Sequence, residues 1–293
     1  MKVLVTGGAG YIGRWVVREL ARRGHEVTAA GLPAPNMVEG VPYTVFDLAD
    51  FDSVRKVVEG REAVIHLAAI PNPRKGLACP IFRTNCLGTY HVFEACAEAG
   101  IKKLSVASSI NALGQFYGVK PLPVRYFPID EAHPQFWSDP YSFSKHVAEE
   151  IGEYYWQRNG ISSISIRLPF VMEPTERWEK FLHNHRANPR GKEIVQGSYW
   201  TMVDIRDSAT AFVLGIEAPY EGAHPLFVND GTNCLGFRSR ELAAMCFGEV
   251  TEWREPIEAD EALVSCRRAK ELLGWEPRYI WRGVAQGGRP PGD

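Results

Sequence analysis

Two residues suited to moving a proton stand four apart in "DPYSFSKHVAEE" (139–150): Tyr141 and Lys145. On a helix that spacing puts both on one face. A free phenol titrates near ~10 and is a poor acid or base at neutral pH, but an ammonium one turn away favours its ionised form. A tyrosine tuned in this way can take a proton from a secondary alcohol or return it to a carbonyl. The reacting oxygen then needs a hydroxyl to orient it, and "VASSINALG" (106–114) offers Ser108 and Ser109. Without any chemistry, the pair is one stripe of an ordinary amphipathic helix. Ser142-x-x-Lys145 also matches a nucleophile motif, but its companions SDN and KTG occur nowhere in the chain.

A second constellation lies at the start. Gly7, Gly10 and Gly13 have the spacing GxxGxxG, directly after the apolar stretch "KVLVT" and before Ile12, Val16 and Leu20 at helical spacing. Strand, glycine turn and helix in this order suit a dinucleotide: backbone approaches the pyrophosphate closely and the helix N-terminus supplies N–H donors. An acid about ~20 residues further on usually holds the adenosine ribose. Here the second strand ends "TAAGLPAP", with Gly31 at that place, and no Lys or Arg occurs between Gly24 and Val54. Arg14 is the only nearby cation in sequence, and it reads equally as a solvated helix residue. The balance favours NAD over NADP, because a dianionic phosphate without a partner is the harder case.

These residues need a frame to bring them together. Strand candidates at 2–6, 26–30, 43–46, 63–69, 103–108 and 162–168 alternate with helices at 51–60, 81–99 and 141–158. The alternation predicts an α/β fold, a doubly wound parallel sheet, with strands apolar on both faces. "TMVDIRDSATAFVLGIEA" and "HPLFVND" read as a return to the sheet, and "GGRPPGD" as a frayed tail. The 293 residues carry a formal charge of −2, which gives no nucleic-acid signature. Six widely spaced cysteines without a CxxC pair point to reduced thiols in a cytoplasmic protein. No apolar run reaches the ~18 residues of a membrane helix.

The set "TGGAGYIG", "FDLAD", "HLAAI", "TNCLGTYHVFEAC", "VASSINALG", "YSFSK" and "AKELLGWEP" resembles the extended short-chain dehydrogenases/reductases, the NAD-dependent epimerase/dehydratase family. The resemblance implies a Rossmann domain over 1–169, with 195–229 returning to it, and a small α+β substrate lobe from 170–194 and 230–293. It implies Tyr141 as general acid/base, Lys145 as its pKa-lowering, ribose-binding partner and Ser109 as the orienting hydroxyl. For the cofactor it implies Gly7, Gly10, Tyr11, Ile12 and Gly13 at the pyrophosphate, and Asp47 with Leu48 at the adenine. Leu67, Ala68, Ala69 and Pro169 would line the cofactor, with Asn85 in the structural part of the tetrad. Homodimers through the helices at 81–99 and 141–158 are common in the family.

The chain departs from the sugar-nucleotide members of the family. Where they carry a diphosphate-binding Asn after the sixth strand, "RLPFVMEP" has Phe170; where they carry an Arg, "SYWTMVDIRD" has Trp200. Charge-assisted bonds contribute ~1.5–3 kcal/mol each, so a phosphate grip is expected to be weak unless Arg177, Lys180, Arg186, Arg190 or Lys192 replaces it. The SSxxxxG run and the "PFVMEP" turn are closer to uronate dehydrogenases. The expected function is therefore hydride transfer at a secondary alcohol or ketone of a small sugar or sugar acid. A nucleotide-sugar epimerase or dehydratase with internally recycled NAD, and a non-catalytic dinucleotide sensor, are the alternatives. Asn111, Phe170 and Trp200 are candidate substrate contacts beside Ser109, among the aromatics Phe116, Tyr117, Tyr126, Phe127, Phe136, Trp137 and Trp178. "HNH" (183–185) lacks the carboxylates or third histidine of a metal site.

Overall fold

The computed structural model describes residues 1–73, 78–120 and 123–280. The "GGRPPGD" tail lies outside them. The first half of the chain runs β1 (Lys2–Thr6), α1 (Gly13–Arg22), β2 (Glu26–Gly31), β3 (Tyr43–Val45), α2 (Phe51–Val58) and β4 (Ala63–His66). Then come α3 (Ala78–Phe82), a π-helical turn (Arg83–Leu87), α4 (Gly88–Glu98), β5 (Lys103–Ala107), a 3-10 turn (Ile110–Leu113) and β6 (Tyr126–Phe127). The second half runs α5 (Pro140–Asn159), β7 (Ser162–Arg167), β8 (Phe170–Met172), α6 (Glu176–Ala187), α7 (Lys192–Ser198) and β9 (Met202–Asp204). It ends with α8 (Ile205–Glu217), β10 (Ala223–Phe227), α9 (Ser239–Cys246), β11 (Glu252–Trp253) and α10 (Arg267–Leu273).

Seven strands form one sheet in the order β10-β7-β5-β4-β1-β2-β3, every pair parallel. Val3, Leu4 and Val5 of β1 are fully enclosed because helices cover both faces. One face packs Val16, Val17 and Leu20 of α1 with Phe212 and Val213 of α8. The other packs Val54 and Val57 of α2, Val92 and Phe93 of α4 and Tyr155 of α5. Pro225 sits in β10, an edge strand, where the missing N–H leaves no gap in the ladder. The chain winds outward from β1 to β3, then crosses to β4 on the other side of β1. That reversal opens a crevice at the carboxyl ends of β1 and β4.

A third apolar cluster belongs to the lobe beside those carboxyl ends. It gathers Leu113, Phe127, Met172, Trp200, Met202, Leu235, Leu242 and Leu263. Two short sheets support it, β6 with β11 and β8 with β9. The lobe core thus draws on the middle of the chain (β6) and on α7 as well as on its C-terminal part.

Two segments differ from the sequence reading. The expected helix over 81–99 is interrupted by the π-helical turn, which carries Asn85. Of the segments expected to rejoin the sheet, only β10 does so; 202–204 pairs with β8 and 205–217 is helix α8. The sequence "IRDSATAFVLGIE" has the buried periodicity of a helix, and Asp204 caps it by accepting from Arg206 N. No helix among the described residues is long and apolar enough to cross a membrane.

Candidate active site

The crevice holds a cavity of about 530 Å³, lined by Gly7, Gly10, Asp47, Leu48, Leu67, Ala68 and Ala69 among the expected residues. The glycines are there for space. Gly7 has φ +69°, and a Cβ on it would come within 2.8 Å of Ala68 N. A Cβ on Gly13 would lie 2.1 Å from Gly7 O, so the first turn of α1 can fold under the loop only without a side chain. Ile12 stands at the start of α1 with no side-chain acceptor, and the N-terminal end of the helix dipole points at the glycine turn. Tyr11 and Ile12 contribute backbone to this turn rather than side chains to the cavity. Asp47 is not the cap of α2, a role taken by Asp50; its Oδ1 accepts from Ala49 N at 2.9 Å at the cavity edge. Volume, glycine clearance and helix end together fit a dinucleotide. Arg14 is committed elsewhere, 3.0 Å from Glu173 and over the Tyr11 ring.

Tyr141 and Lys145 do share a face of α5. Asp139 caps that helix, accepting from Tyr141 N and Ser142 N, and Pro140 occupies its first position. Lys145 Nζ lies 5.7 Å from the Tyr141 ring centroid and donates to Ala107 O at 2.7 Å. The Ser109 side chain lies beside the phenol and favours its ionised form. Ser109 in turn accepts from Asn111 N at 3.1 Å and Asn111 Nδ2 at 3.4 Å, at the start of the 3-10 turn.

The electrostatics correct one expectation. Burial pulls the Lys145 ammonium down to about 8, against the opposing pull of Glu149. Burial also raises the Tyr141 phenol above its ordinary value, and the nearby Ser109 hydroxyl only partly offsets this. Desolvation therefore decides the shift, and the protein alone holds Tyr141 protonated.

Asn85 reaches out of the π-helical turn to fix the strand end after β4. Its Oδ1 accepts from Ile70 N (2.8 Å), and its Nδ2 donates to Ile70 O (3.1 Å) and Ser144 Oγ (3.0 Å). A π turn at a functional site is a recurring device for such a reach. The 63–69 segment also supplies a residue that sequence reasoning passed over, His66. Its Nδ1 lies 2.7 Å from Thr6 Oγ1 and its Nε2 3.2 Å from Thr89 Oγ1, which donates to Asn85 O. Burial pushes His66 down to about 3, so it stays neutral. Thr6 Oγ1 also accepts from Leu67 N and Ala68 N. The chain of bonds ties the glycine loop, the cavity wall and Asn85 into one unit. The only sequence signal was a polar residue inside an otherwise apolar strand.

Of the two serines, only Ser109 faces the phenol. Ser108 donates to Glu149 Oε1 at 2.6 Å, and Glu149 holds Arg167 through a two-pronged pair at 2.9 and 2.8 Å. Both charged side chains are buried. This pair joins α5 to β7.

The surroundings of Tyr141 beyond the cavity are aromatic. Tyr117 meets Tyr141 edge-on, centroids 5.6 Å apart, and Phe116 packs against Tyr117 at 4.5 Å. Phe170 packs on Phe181 at 5.5 Å and, with Phe116, adjoins Gly197. Pro169, half-buried, leads from β7 into this wall. Asn111 is buried, and its Oδ1 has no hydrogen-bond partner. Trp200 is the misplaced candidate: it is fully buried, with Nε1 donating to Pro189 O at 2.9 Å and φ +59° turning it into the lobe core. Its one donor is taken by the backbone, so it has no hydrogen bond to offer a ligand. Arg177 and Arg186, considered as phosphate partners, lie over Trp178 and Phe237.

A family model described as the NAD dependent epimerase/dehydratase family matches residues 3–231. The L-arabinose 1-dehydrogenase (NAD(P)(+)) of Haloferax volcanii is 32% identical over 185 residues, 61% of this chain and 70% of that enzyme. The uronate dehydrogenase of Pseudomonas syringae pv. tomato is 30% identical over 169 residues, 57% of this chain and 58% of that enzyme. A short-chain dehydrogenase/reductase superfamily protein from Agrobacterium tumefaciens, solved with bound NAD, superposes with a TM-score of 0.69 at 20% identity. That alignment covers 96% of this chain and 94% of the other, and it shows the fold. The UDP-glucose 4-epimerase of Thermus thermophilus, in complex with NAD, superposes with a TM-score of 0.65 at 26% identity, over 95% and 94% of the two chains. Glycine turn, serine-tyrosine-lysine cluster and sheet order agree with this match, and the chain is an enzyme that belongs to the NAD dependent epimerase/dehydratase family of extended short-chain dehydrogenases/reductases.

Proposed function

We propose that the protein is an NAD-dependent dehydrogenase that oxidises a secondary hydroxyl of a small sugar or sugar acid, or reduces the corresponding carbonyl. The observation that carries this reading is the buried Tyr141 phenol beside Ser109, with Lys145 on the same helical face and Asn111 Oδ1 unpartnered next to Ser109. Oxidation removes a proton and a hydride from the alcohol. For oxidation the Tyr141 phenol first gives up its own proton to solvent and, as phenolate, takes the alcohol proton at its oxygen; for reduction the protonated phenol gives its proton to the carbonyl oxygen. Ser109 donates to the substrate oxygen, and Asn111 Oδ1 accepts from a neighbouring substrate hydroxyl. The bound nicotinamide supplies the hydride acceptor and, when oxidised, a positive charge that works against the burial of Tyr141. Leu67–Ala69, Asn85 and Lys145 would hold the cofactor's inner end, and Pro169 would lie on its nicotinamide side.

Two features favour a substrate without a nucleotide. The positions of the diphosphate partners hold Phe170, packed on Phe181, and Trp200, sealed in the lobe. Two of the relatives, an L-arabinose 1-dehydrogenase and a uronate dehydrogenase, are named for a free sugar and a sugar acid. The test is incubation with NAD and a panel of aldoses, uronic acids and UDP-sugars while following the absorbance of reduced nicotinamide. Accumulation with a free sugar or sugar acid supports the reading; epimerisation of a UDP-sugar without accumulation overturns it.

The lobe built around Trp200 and Leu242 is, in this reading, the substrate-binding part, and the protein works in the cytoplasm, where its six free thiols stay reduced. A second copy of the chain covers the outer face of α3, α4 and α5. Phe82, Tyr90, Phe143 and Tyr154 are exposed there, Phe82 stacked on Phe143 and Tyr90 on Tyr154. Sedimentation equilibrium tests this: a dimer that Tyr154→Glu makes monomeric is expected, and a monomeric wild type refutes it.

A further inference from the structure

The end of β2 is where a carboxylate would hold the adenosine ribose, and Gly31 stands there instead. A Cβ on Gly31 would come within 2.7 Å of Tyr43 Oη, and the next nearest atoms are 3.8 Å away. The space of a side chain at 31 is therefore filled by the hydroxyl of a residue on the neighbouring strand, β3, which pairs with β2 through Ala29 and Tyr43. Tyr43 Oη donates to Leu32 O at 2.6 Å. Its proton is engaged by the backbone, and its remaining lone pair is an acceptor at the cavity wall. Partial burial raises the phenol, which keeps it neutral. Asp47 is the only charged residue among the described residues that line the cavity, and Arg14 is held by Glu173.

We propose that Tyr43 replaces the missing β2 acid: its oxygen accepts from the adenosine ribose, and it is the residue that makes NAD preferred to NADP. A ribose 2′-hydroxyl can donate to this oxygen. A 2′-phosphate brings only acceptors and negative charge to a wall where the described residues offer no cation, so it loses the bond and gains nothing. A neutral acceptor discriminates less than a carboxylate, so the preference is moderate, about tenfold. The inference rests on the glycine-loop cavity being the dinucleotide site.

Calorimetric titration of the purified chain with NAD and with NADP, without substrate, tests it. The wild type is expected to bind NAD about tenfold more tightly. Tyr43→Phe keeps the ring and removes the oxygen; NAD affinity should fall five- to tenfold while NADP changes less than twofold, which erases the preference. Gly31→Asp combined with Tyr43→Ala places a carboxylate in the vacated space; NAD affinity should recover and the preference should exceed that of the wild type at least tenfold. Unchanged melting temperatures establish that both variants fold. A preference that survives Tyr43→Phe, or a wild type that binds NADP the more tightly, overturns the role of Tyr43 and leaves the cavity reading intact. Failure of the wild type to bind either nucleotide overturns both.

Discussion

The two halves of the cleft are made of different material. The proposed cofactor half is largely backbone: a turn in which Gly7 and Gly13 leave room for one another, a helix end without a side-chain cap, Leu67 and Ala68 pinned from behind by Thr6, and Ile70 pinned by Asn85. The substrate half is side chain: Tyr117, Phe116, Phe170 and Asn111, set on loops, a short strand and a single 3-10 turn. A site built of backbone tolerates few intrusions and varies little. A site built of rings and one amide can change its ligand by changing a few residues without disturbing the sheet. Tyr141 stands where the halves meet, and the sharpest tests act on what holds it there.

The largest effect is expected from Tyr141→Phe. Removing the hydroxyl should lower kcat by three to four decades, about 4–5 kcal/mol in the barrier, while the affinity for NAD stays within threefold. Stopped-flow or steady-state rates paired with a nucleotide titration give both numbers. A variant that keeps a tenth of the wild-type rate would move the chemistry out of Tyr141 and dissolve the boundary between the halves.

Next in size is the buried pair under α5. Glu149→Ala leaves Arg167 charged and enclosed beside Phe227, and such a loss costs about 3–5 kcal/mol. Urea unfolding should show it. Replacing both partners, Glu149→Met with Arg167→Met, should recover most of the stability while lowering kcat, because Ser108 then loses its acceptor and α5 its anchor. If the double variant is as unstable as the single one, the pair is not the strut described here.

The third test uses pH. Lys145 releases its proton near pH 8 in the folded chain and near ~10.4 when unfolded. The unfolded state binds more protons between those values, so stability rises with pH across that window. The cost of enclosing the ammonium, on the order of 3 kcal/mol, is fully present below pH 8 and fades towards pH 10.4. Lys145→Met removes the titration. The stability difference between variant and wild type should therefore shift by about that amount between pH 7 and 10.4; a difference independent of pH would show that Lys145 is not desolvated.

What the sequence revealed follows the same division. The glycine spacing, the Tyr141–Lys145 interval and the strand-helix rhythm were legible because each is a local pattern with a local cause. Trp200 was not: a tryptophan ahead of a short strand looks the same whether it faces a ligand or the core, and only the left-handed turn at Tyr199 and Trp200 decides for the core. Ser108 and Ser109 are neighbours in sequence, and the choice between them depends on Glu149, forty-one residues from Ser108. The π-helical turn at Asn85 was hidden because the bulge answers to Ile70, fifteen residues back, which no local pattern reports. The phenol's raised pKa was hidden as well, since spacing reports the lysine and says nothing of burial.

The smallest effect tests the substrate half alone. Asn111 donates through Nδ2 to Ser109 and leaves Oδ1 without a partner in a buried place. An enclosed acceptor with nothing to accept costs free energy in the free enzyme, and a substrate hydroxyl that fills it recovers that cost. Asn111→Ala should therefore raise KM for the sugar about tenfold, near 1.4 kcal/mol, with kcat lowered less than threefold and NAD binding unchanged. Asn111→Asp keeps the acceptor and should retain more of the sugar affinity than alanine does. If alanine instead lowers kcat and leaves KM alone, Asn111 acts through Ser109 on the phenol, and the line between the two halves runs one residue further into the substrate side than drawn here.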